Sequence, residues 1–221
     1  MKRQFLQMMT ILVFGLMGIM FTSCGGDDDA SSGDNGTGVL ADVEINEKNF
    51  PDGIFRNWLL SQDYGSDGVL TKSEIARVTL INAQRVGSID SDHNGKIQSL
   101  RGIEYFTALE TLACCLNELT ELDVSKNTAL KELACFSNKL TELNLSKNTA
   151  LTKLACYSNE IRDKSMDALV ASLPTVKSGE LLVKMSNRNV MTTTQVAAAK
   201  TKGWTPYYYD SHKGWQEYAG E

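Results

Sequence analysis

Over residues 105–164 the apolar positions keep neither the two-residue period of a long strand nor the 3.6-residue period of a helix. They recur at 21 residues. Ala108-Leu109-Glu110-Thr111-Leu112-Ala113-Cys114 returns as Ala129-Leu130-Lys131-Glu132-Leu133-Ala134-Cys135, and again as Ala150-Leu151-Thr152-Lys153-Leu154-Ala155-Cys156. Each unit reads L-x-x-L-x-C-x-x-N-x-L, with Asn117, Asn138 and Asn159 in the asparagine slot. A second half follows inside the unit, as Leu119-x-x-Leu122-x-Val124-x-x-Asn127 and Leu140-x-x-Leu143-x-Leu145-x-x-Asn148. Halves offset alternately by 10 and 11 residues predict two short strands per turn, on opposite sides of a flattened right-handed coil. One turn cannot bury its leucines alone, but stacked turns bury a continuous ladder. The asparagines are expected to turn the chain inward while their amides hydrogen-bond backbone groups left unpaired at the bends.

This order of leucines and asparagine is the leucine-rich-repeat signature, with Cys in its third apolar slot. The fold class that follows is an α/β repeat: a short right-handed leucine-rich-repeat solenoid over 105–164, with a helical N-terminal cap over 43–104 and an α/β C-terminal cap over 165–221. In the first cap Asn49-Phe50-Pro51 opens a helix, with Asn as its cap. Ile54, Phe55, Trp58 and Leu59 face the core at helical spacing. In the second, Met166, Leu169, Val170 and Leu173 form a helix ending before Pro174, and residues 180–186 read as a strand. A helix capped by Thr192 runs from Thr193 to Gly203. Tyr207 to Tyr209 and Trp215 to Tyr218 then make a closing hairpin around Asp210-Ser211-His212-Lys213-Gly214.

Asp63-Tyr64-Gly65-Ser66-Asp67-Gly68-Val69-Leu70-Thr71-Lys72-Ser73-Glu74 resembles the twelve-residue calcium loop of an EF-hand. Asp63 and Asp67 would give side-chain oxygens, Val69 its carbonyl, Thr71 a water-mediated contact and Glu74 two oxygens. Gly65 departs from the motif, which wants Asp or Asn there. A helix-turn-helix keeping only the capping residues of such a loop is the alternative. A second stretch, Asp90-Ser91-Asp92-His93-Asn94-Gly95-Lys96-Ile97, starts like a calcium loop but reaches Arg101 at its twelfth position, where a cation ligand is needed. It is expected to be a turn into the coil.

The first 23 residues are a targeting segment. Lys2 and Arg3 precede an uncharged apolar run from Phe5 to Phe21, which ends in Phe21-Thr22-Ser23-Cys24. That ending resembles the lipobox of bacterial lipoproteins, and implies that Cys24 becomes the acylated N-terminus; a plain membrane anchor with a chance cysteine is the alternative. Several acyl chains together anchor stably. Residues 24–42 are rich in Gly, Ser and Asp, too polar to bury a core, and read as a flexible tether. Without Lys2 and Arg3 the cations fall from 22 to 20 against 27 acidic residues, a balance of −7. An acidic chain with no basic patch argues against a nucleic-acid partner.

Five cysteines in an exported chain invite disulfide pairing. However, Cys114, Cys135 and Cys156 share one inward slot on successive turns, where a thiol packs as a small apolar group and is poorly aimed for a disulfide. The next residue along a strand faces outward, so Cys115 is expected as an exposed thiol. With Phe136 and Tyr157 it forms an outward column beside Ala113, Ala134 and Ala155, flanked by Thr111, Glu132 and Lys153. Such a stripe is a candidate site for a sugar or an extended peptide, with Cys115, Phe136, Tyr157, Glu132 and Lys153 as its residues. The alternatives are that a flanking cap or a self-contact between copies covers it, or that it is ordinary exposed surface.

Phrases such as Ser125-Lys126-Asn127-Thr128-Ala129-Leu130 and Ser146-Lys147-Asn148-Thr149-Ala150-Leu151 resemble the leucine-rich-repeat surface lipoproteins of Bacteroides and related bacteria. Phe50-Pro51-Asp52 through Glu74-Ile75-Ala76 resembles that family's N-terminal unit. Gln195 through Lys200, Lys202-Gly203-Trp204 and Trp215-Gln216-Glu217-Tyr218 resemble its C-terminal unit. The resemblance implies a lipid-anchored protein displayed on the outer membrane, binding protein or glycan, and it implies no catalytic residues. An accessory subunit of a surface uptake complex is the alternative. Only His93 and His212 are available for a His-dependent triad, and a carboxylate pair acting on sugars is the remaining enzymatic route.

Overall fold

The computed structural model describes residues 41–84, 95–185 and 188–221. The expectations for the leader, for Cys24 and its tether up to Leu40, and for Asp90 to Asn94 lie outside these residues. Strand β1 (Val43–Glu44) pairs antiparallel with β2 (Val69–Leu70). Between them runs helix α1 (Gly53–Leu60), which turns Phe55 and Leu59 into the core. Its N-cap is Asp52 and not Asn49, because the helix starts after Pro51. One oxygen of Asp52 accepts the N–H groups of Ile54 and Phe55 at 2.9 Å. The other accepts those of Gln98 and Ser99 at 2.7 and 3.0 Å, tying the helix to the start of the coil. Helix α2 (Lys72–Ile75) opens on a capping box made by Thr71 and Glu74.

A single seven-stranded sheet carries the rest. Its order is β3 (Leu80–Asn82), β4 (Thr111–Ala113), β5 (Glu132–Ala134), β6 (Lys153–Ala155), β7 (Gly179–Lys184), β8 (Trp204–Asp210) and β9 (Gly214–Glu217). All neighbours are parallel except the β8–β9 hairpin. Ile81, Leu112, Leu133, Leu154 and Leu181 stand in register and are buried. The sheet therefore begins before the first 21-residue unit, at Leu80, and runs on past the last. Helix α3 (Asp163–Ser172) fills the return before β7, and α4 (Thr193–Thr201) the return before β8. The result is a leucine-rich-repeat-like α/β coil.

Each 21-residue unit contributes one strand, not two. The second half buries Leu119, Leu122 and Val124, and likewise Leu140, Leu143 and Leu145. Its backbone, however, closes tight turns instead of a ladder: Asn127 donates to Val124 and Leu130 to Asn127, at 3.0 and 3.1 Å. The amides of Asn127 and Asn148 then reach back to carbonyls of the preceding turn, Asn127 to Ile103 and Phe106, Asn148 to Val124 and Asn127. Side-chain amides thus do on this side what strand pairing does on the other.

The first-half asparagines form a second column. Asn138 accepts the Leu119 N–H and donates to the carbonyls of Cys114 and Cys135, each at 3.0 Å. Asn117 and Asn159 make the equivalent bonds one turn earlier and later. Asn189 continues the column beyond α3, accepting from Ile161 and donating to Cys156. Its longer spacing from Asn159 hides it from a 21-residue search. The residues before three of these asparagines, Leu116, Ser137 and Ser158, hold φ near +60° (62, 55 and 57°), where the chain turns out of the strand.

Candidate functional site

The strands alternate faces, so one side of the sheet lies on the core and the other points away. On the outer side the register aligns Leu80, Thr111, Glu132, Lys153, Glu180 and Thr205 in one column. The next column is Asn82, Ala113, Ala134, Ala155, Leu182 and Tyr207. Glu132 and Lys153, expected together at the edge of the stripe, pair at 3.0 Å and remain partly exposed. Lys131 pairs with Glu110 in the same way at 2.7 Å. Such exposed pairs add little stability, but they neutralise the charge of this face locally.

The third column departs from expectation. Cys115, Phe136 and Tyr157 point outward but are not exposed, at 1, 6 and 6 % of their free surface. Cys115 is no surface thiol: its Sγ meets Gln84 Oε1 at 3.4 Å. Burial raises its pKa to about 12. Phe136 and Tyr157 lie face to face, with centroids 4.4 Å apart and planes 8° apart. Trp215 covers Tyr157 at 5.1 Å, tilted by 56°, and Tyr209 packs against Trp215 at 5.5 Å. Desolvation under this cover pushes the Tyr157 phenol upward.

Over Tyr157 the cover comes from the chain's own C-terminal unit. Strand β7 ends at Lys184, opposite Tyr208, while the hairpin continues to Asp210 and returns at Gly214. Its tip thereby brings a side chain of β9 onto a ring that follows β6, although two strands lie between them in the sheet. Among the described residues, Tyr207, Tyr209 and Trp215 are half-buried aromatics of this outer side. Sequence reasoning placed these in a closing hairpin and not in the site. The signal available was the row of tyrosines at 207–209 with a Trp in the opposing strand; how far the hairpin outreaches β7 has no local signature.

Behind the face, Cys114, Cys135 and Cys156 are fully buried free thiols, in the core as expected. Desolvation raises all three, Cys156 to about 12.

The Asp63–Glu74 loop is closed by hydrogen bonds. Asp67 accepts the Val69 N–H at 3.0 Å, and Glu74 accepts both the N–H and the hydroxyl of Thr71 at 2.8 and 2.7 Å. Gly65 is buried, and a Cβ there would run into the Leu59 carbonyl and the Ile45 side chain. Packing therefore excludes an acid at that position. Among the described residues no three His, Cys, Asp or Glu side chains are grouped to hold a metal ion. Calcium at Asp63, Asp67, Val69, Thr71 and Glu74 requires Glu74 to leave Thr71.

Ser211 and His212 approach to 3.1 Å at the exposed hairpin turn. Asp210 spends its carboxylate on the backbone N–H groups of His212 and Lys213, at 2.8 and 2.9 Å, and not on the imidazole. Those bonds hold the Asp210 pKa below its usual value.

No family model and no curated protein matches the chain. Among solved structures it is similar to the functional domain of InlJ from Listeria monocytogenes, which includes a cysteine ladder. Identity is 30% over 57% of this chain and 26% of that one, with a TM-score of 0.47. An internalin (inlF) from Listeria monocytogenes str. 4b F2365 is similar at 17% identity, over 77% of this chain and 58% of its own, with a TM-score of 0.32. The chain spans only about a quarter of the first and somewhat over half of the second.

Proposed function

We propose that the chain is a cell-surface binding module that takes a protein partner on the outer face of its sheet. One observation supports this most: half-buried Tyr207, Tyr209 and Trp215 share a continuous, strand-built face with the Glu132–Lys153 pair and Glu180. Tyr and Trp concentrate binding energy in protein interfaces, while paired charges serve as a polar rim. The strands hold these side chains in fixed register, so little order has to be gained on binding. Protein is favoured over glycan because Phe136 and Tyr157 stack on each other, Trp215 lies against Tyr157, and both rings are buried away from a sugar. Display at the surface is read from the sequence of the leader, its lipobox-like ending at Cys24 and the acidic tether behind it.

The test is a screen of the soluble chain from Val39 onward against purified extracellular proteins and a glycan array. A protein ligand is expected, weakened at least tenfold by Tyr209→Ala with Lys153→Glu and unaffected by Glu121→Ala with Glu142→Ala on the opposite side. A glycan as the sole ligand overturns the partner class. A protein ligand indifferent to both face substitutions overturns the site.

A further inference from the structure

We infer that the side of the coil opposite the sheet holds two binding sites for single structural water molecules, one between Asn127 and Ala108 and one between Asn148 and Ala129.

The two asparagine columns are unequally satisfied. On the strand side, Oδ1 of Asn138 and of Asn159 accepts the N–H of Leu119 and of Leu140, each 19 residues earlier, at 3.0 Å. On the turn side the amide nitrogens are fully used. Asn127 donates to Ile103 and Phe106 at 2.8 and 2.9 Å, and Asn148 to Val124 and Asn127 at 2.9 Å. The oxygens are not. Asn127 and Asn148 are fully buried, and among the described residues no donor reaches either Oδ1. Exchanging oxygen and nitrogen would set the oxygen against two carbonyls, so the orientation of each amide is fixed.

The same offset leads from Asn127 to Ala108 and from Asn148 to Ala129. Among the described residues neither alanine N–H donates to an acceptor. Each turn thus carries an acceptor and a donor at the positions that bond directly on the strand side. The backbone explains why they do not bond here. Asn127 and Asn148 give their own N–H to Val124 and Leu145 at 3.0 and 2.9 Å, which occupies the carbonyl three residues back. On the strand side that carbonyl takes the side-chain amide of Asn138 and of Asn159. Deprived of it, the turn-side amides spend both donors on the preceding turn.

A buried acceptor without a donor is costly, and folded proteins ordinarily meet such groups with ordered water. One water donates to the amide oxygen and accepts the alanine N–H. Ala108 and Ala129 are half-buried, which leaves a route from solvent. The column is bounded: one turn earlier its position is Phe106 and one turn later Leu169, both apolar and fully buried.

The test is nuclear magnetic resonance on the isotope-labelled chain, combining water-to-amide cross-relaxation with scalar coupling across hydrogen bonds. Leu119 and Leu140 are the internal standards, expected to couple to the side-chain carbonyl carbons of Asn138 and Asn159 and to show no water cross-peak. Ala108 and Ala129 are expected to do the reverse, with a cross-peak of the sign given by a molecule that tumbles with the protein. The peaks should persist in Thr107→Val with Thr128→Val, which removes the neighbouring exposed hydroxyls as relays of exchange. Coupling from either alanine to Asn127 or Asn148 would show a direct bond and overturn the inference. So would a missing cross-peak at either alanine, one lost with the hydroxyls, or one with the sign of fast surface hydration.

Discussion

Replacing Asn138 by leucine swaps side chains of similar size at a site that is 3 % exposed, so a purely apolar view of the core expects little damage. The hydrogen bonds argue otherwise. The Leu119 N–H loses its acceptor and is left buried without one. The Cys114 and Cys135 carbonyls each lose one of two amide donors, keeping Asn117 at 3.2 Å and Asn159 at 3.0 Å respectively. An orphaned buried donor costs about 1–3 kcal/mol, and each net bond lost about 0.5–1.5 kcal/mol. Together these come to about 2–6 kcal/mol, a large share of the roughly 5–15 kcal/mol that holds a domain folded. Asn144 makes a similar local bond to the Ser146 N–H but is exposed; Asn144→Ala should cost less than about 1 kcal/mol. Urea unfolding followed by far-UV circular dichroism gives both numbers. A loss below about 1 kcal/mol for Asn138→Leu, indistinguishable from Asn144→Ala, would refute the assignment of this column as a structural bond network.

The thiols make stability fall at alkaline pH. With Cys115 and Cys156 raised from 9.0 to about 12, the unfolded chain gives up its protons first. Their contribution is intact below about pH 9 and is lost as pH climbs toward 12, at about 1.4 kcal/mol per pH unit for each thiol. Between pH 8 and 10 the urea midpoint of the parent should therefore drop further than that of Cys115→Ala with Cys156→Ala, and equal drops would contradict the burial of these groups. Acylation of Cys24 predicts incorporation of a clickable fatty acid in cells, abolished by Cys24→Ser; retained label would move the anchor elsewhere. Glu74→Gln preserves the capping box, since Gln serves at that position too, so both proteins should melt alike in chelator while calcium raises the melting temperature of the parent alone. Equal melting in calcium would remove the ion from the account.

Residues whose meaning is local were legible in the sequence. Thr192 caps its helix because Gln195 stands three residues on and completes the box, and the Asp210–Gly214 stretch turns the hairpin because its carboxylate can fold back on two N–H groups. The buried cysteines followed from period alone. Three things were hidden for a common reason, which is that each depends on a distant segment. Cys115, Phe136 and Tyr157 have the outward position that alternation assigns them, yet Gln84 meets the Cys115 thiol, Phe136 and Tyr157 stack on each other, and Trp215, dozens of residues later, lies against Tyr157. Asn189 belongs to the asparagine column only once α3 has been accommodated. The second half-repeat has strand-like spacing, but its turns and the Asn127 and Asn148 amides take the bonds a ladder would need.

Because Asn117, Asn138 and Asn159 each bridge the carbonyls of two neighbouring turns, every internal turn meets the same bonding environment above and below. A 21-residue segment can therefore be duplicated or excised in frame without leaving a mismatched seam. Near-identical stretches such as Ser125–Leu130 and Ser146–Leu151 are the kind of sequence between which genes recombine. The face would lengthen or shorten by about 4.8 Å for each turn, while the same hairpin still closed over whichever ring came last. Size of the outer face is in this sense an inheritable variable, separable from the units that seal its ends.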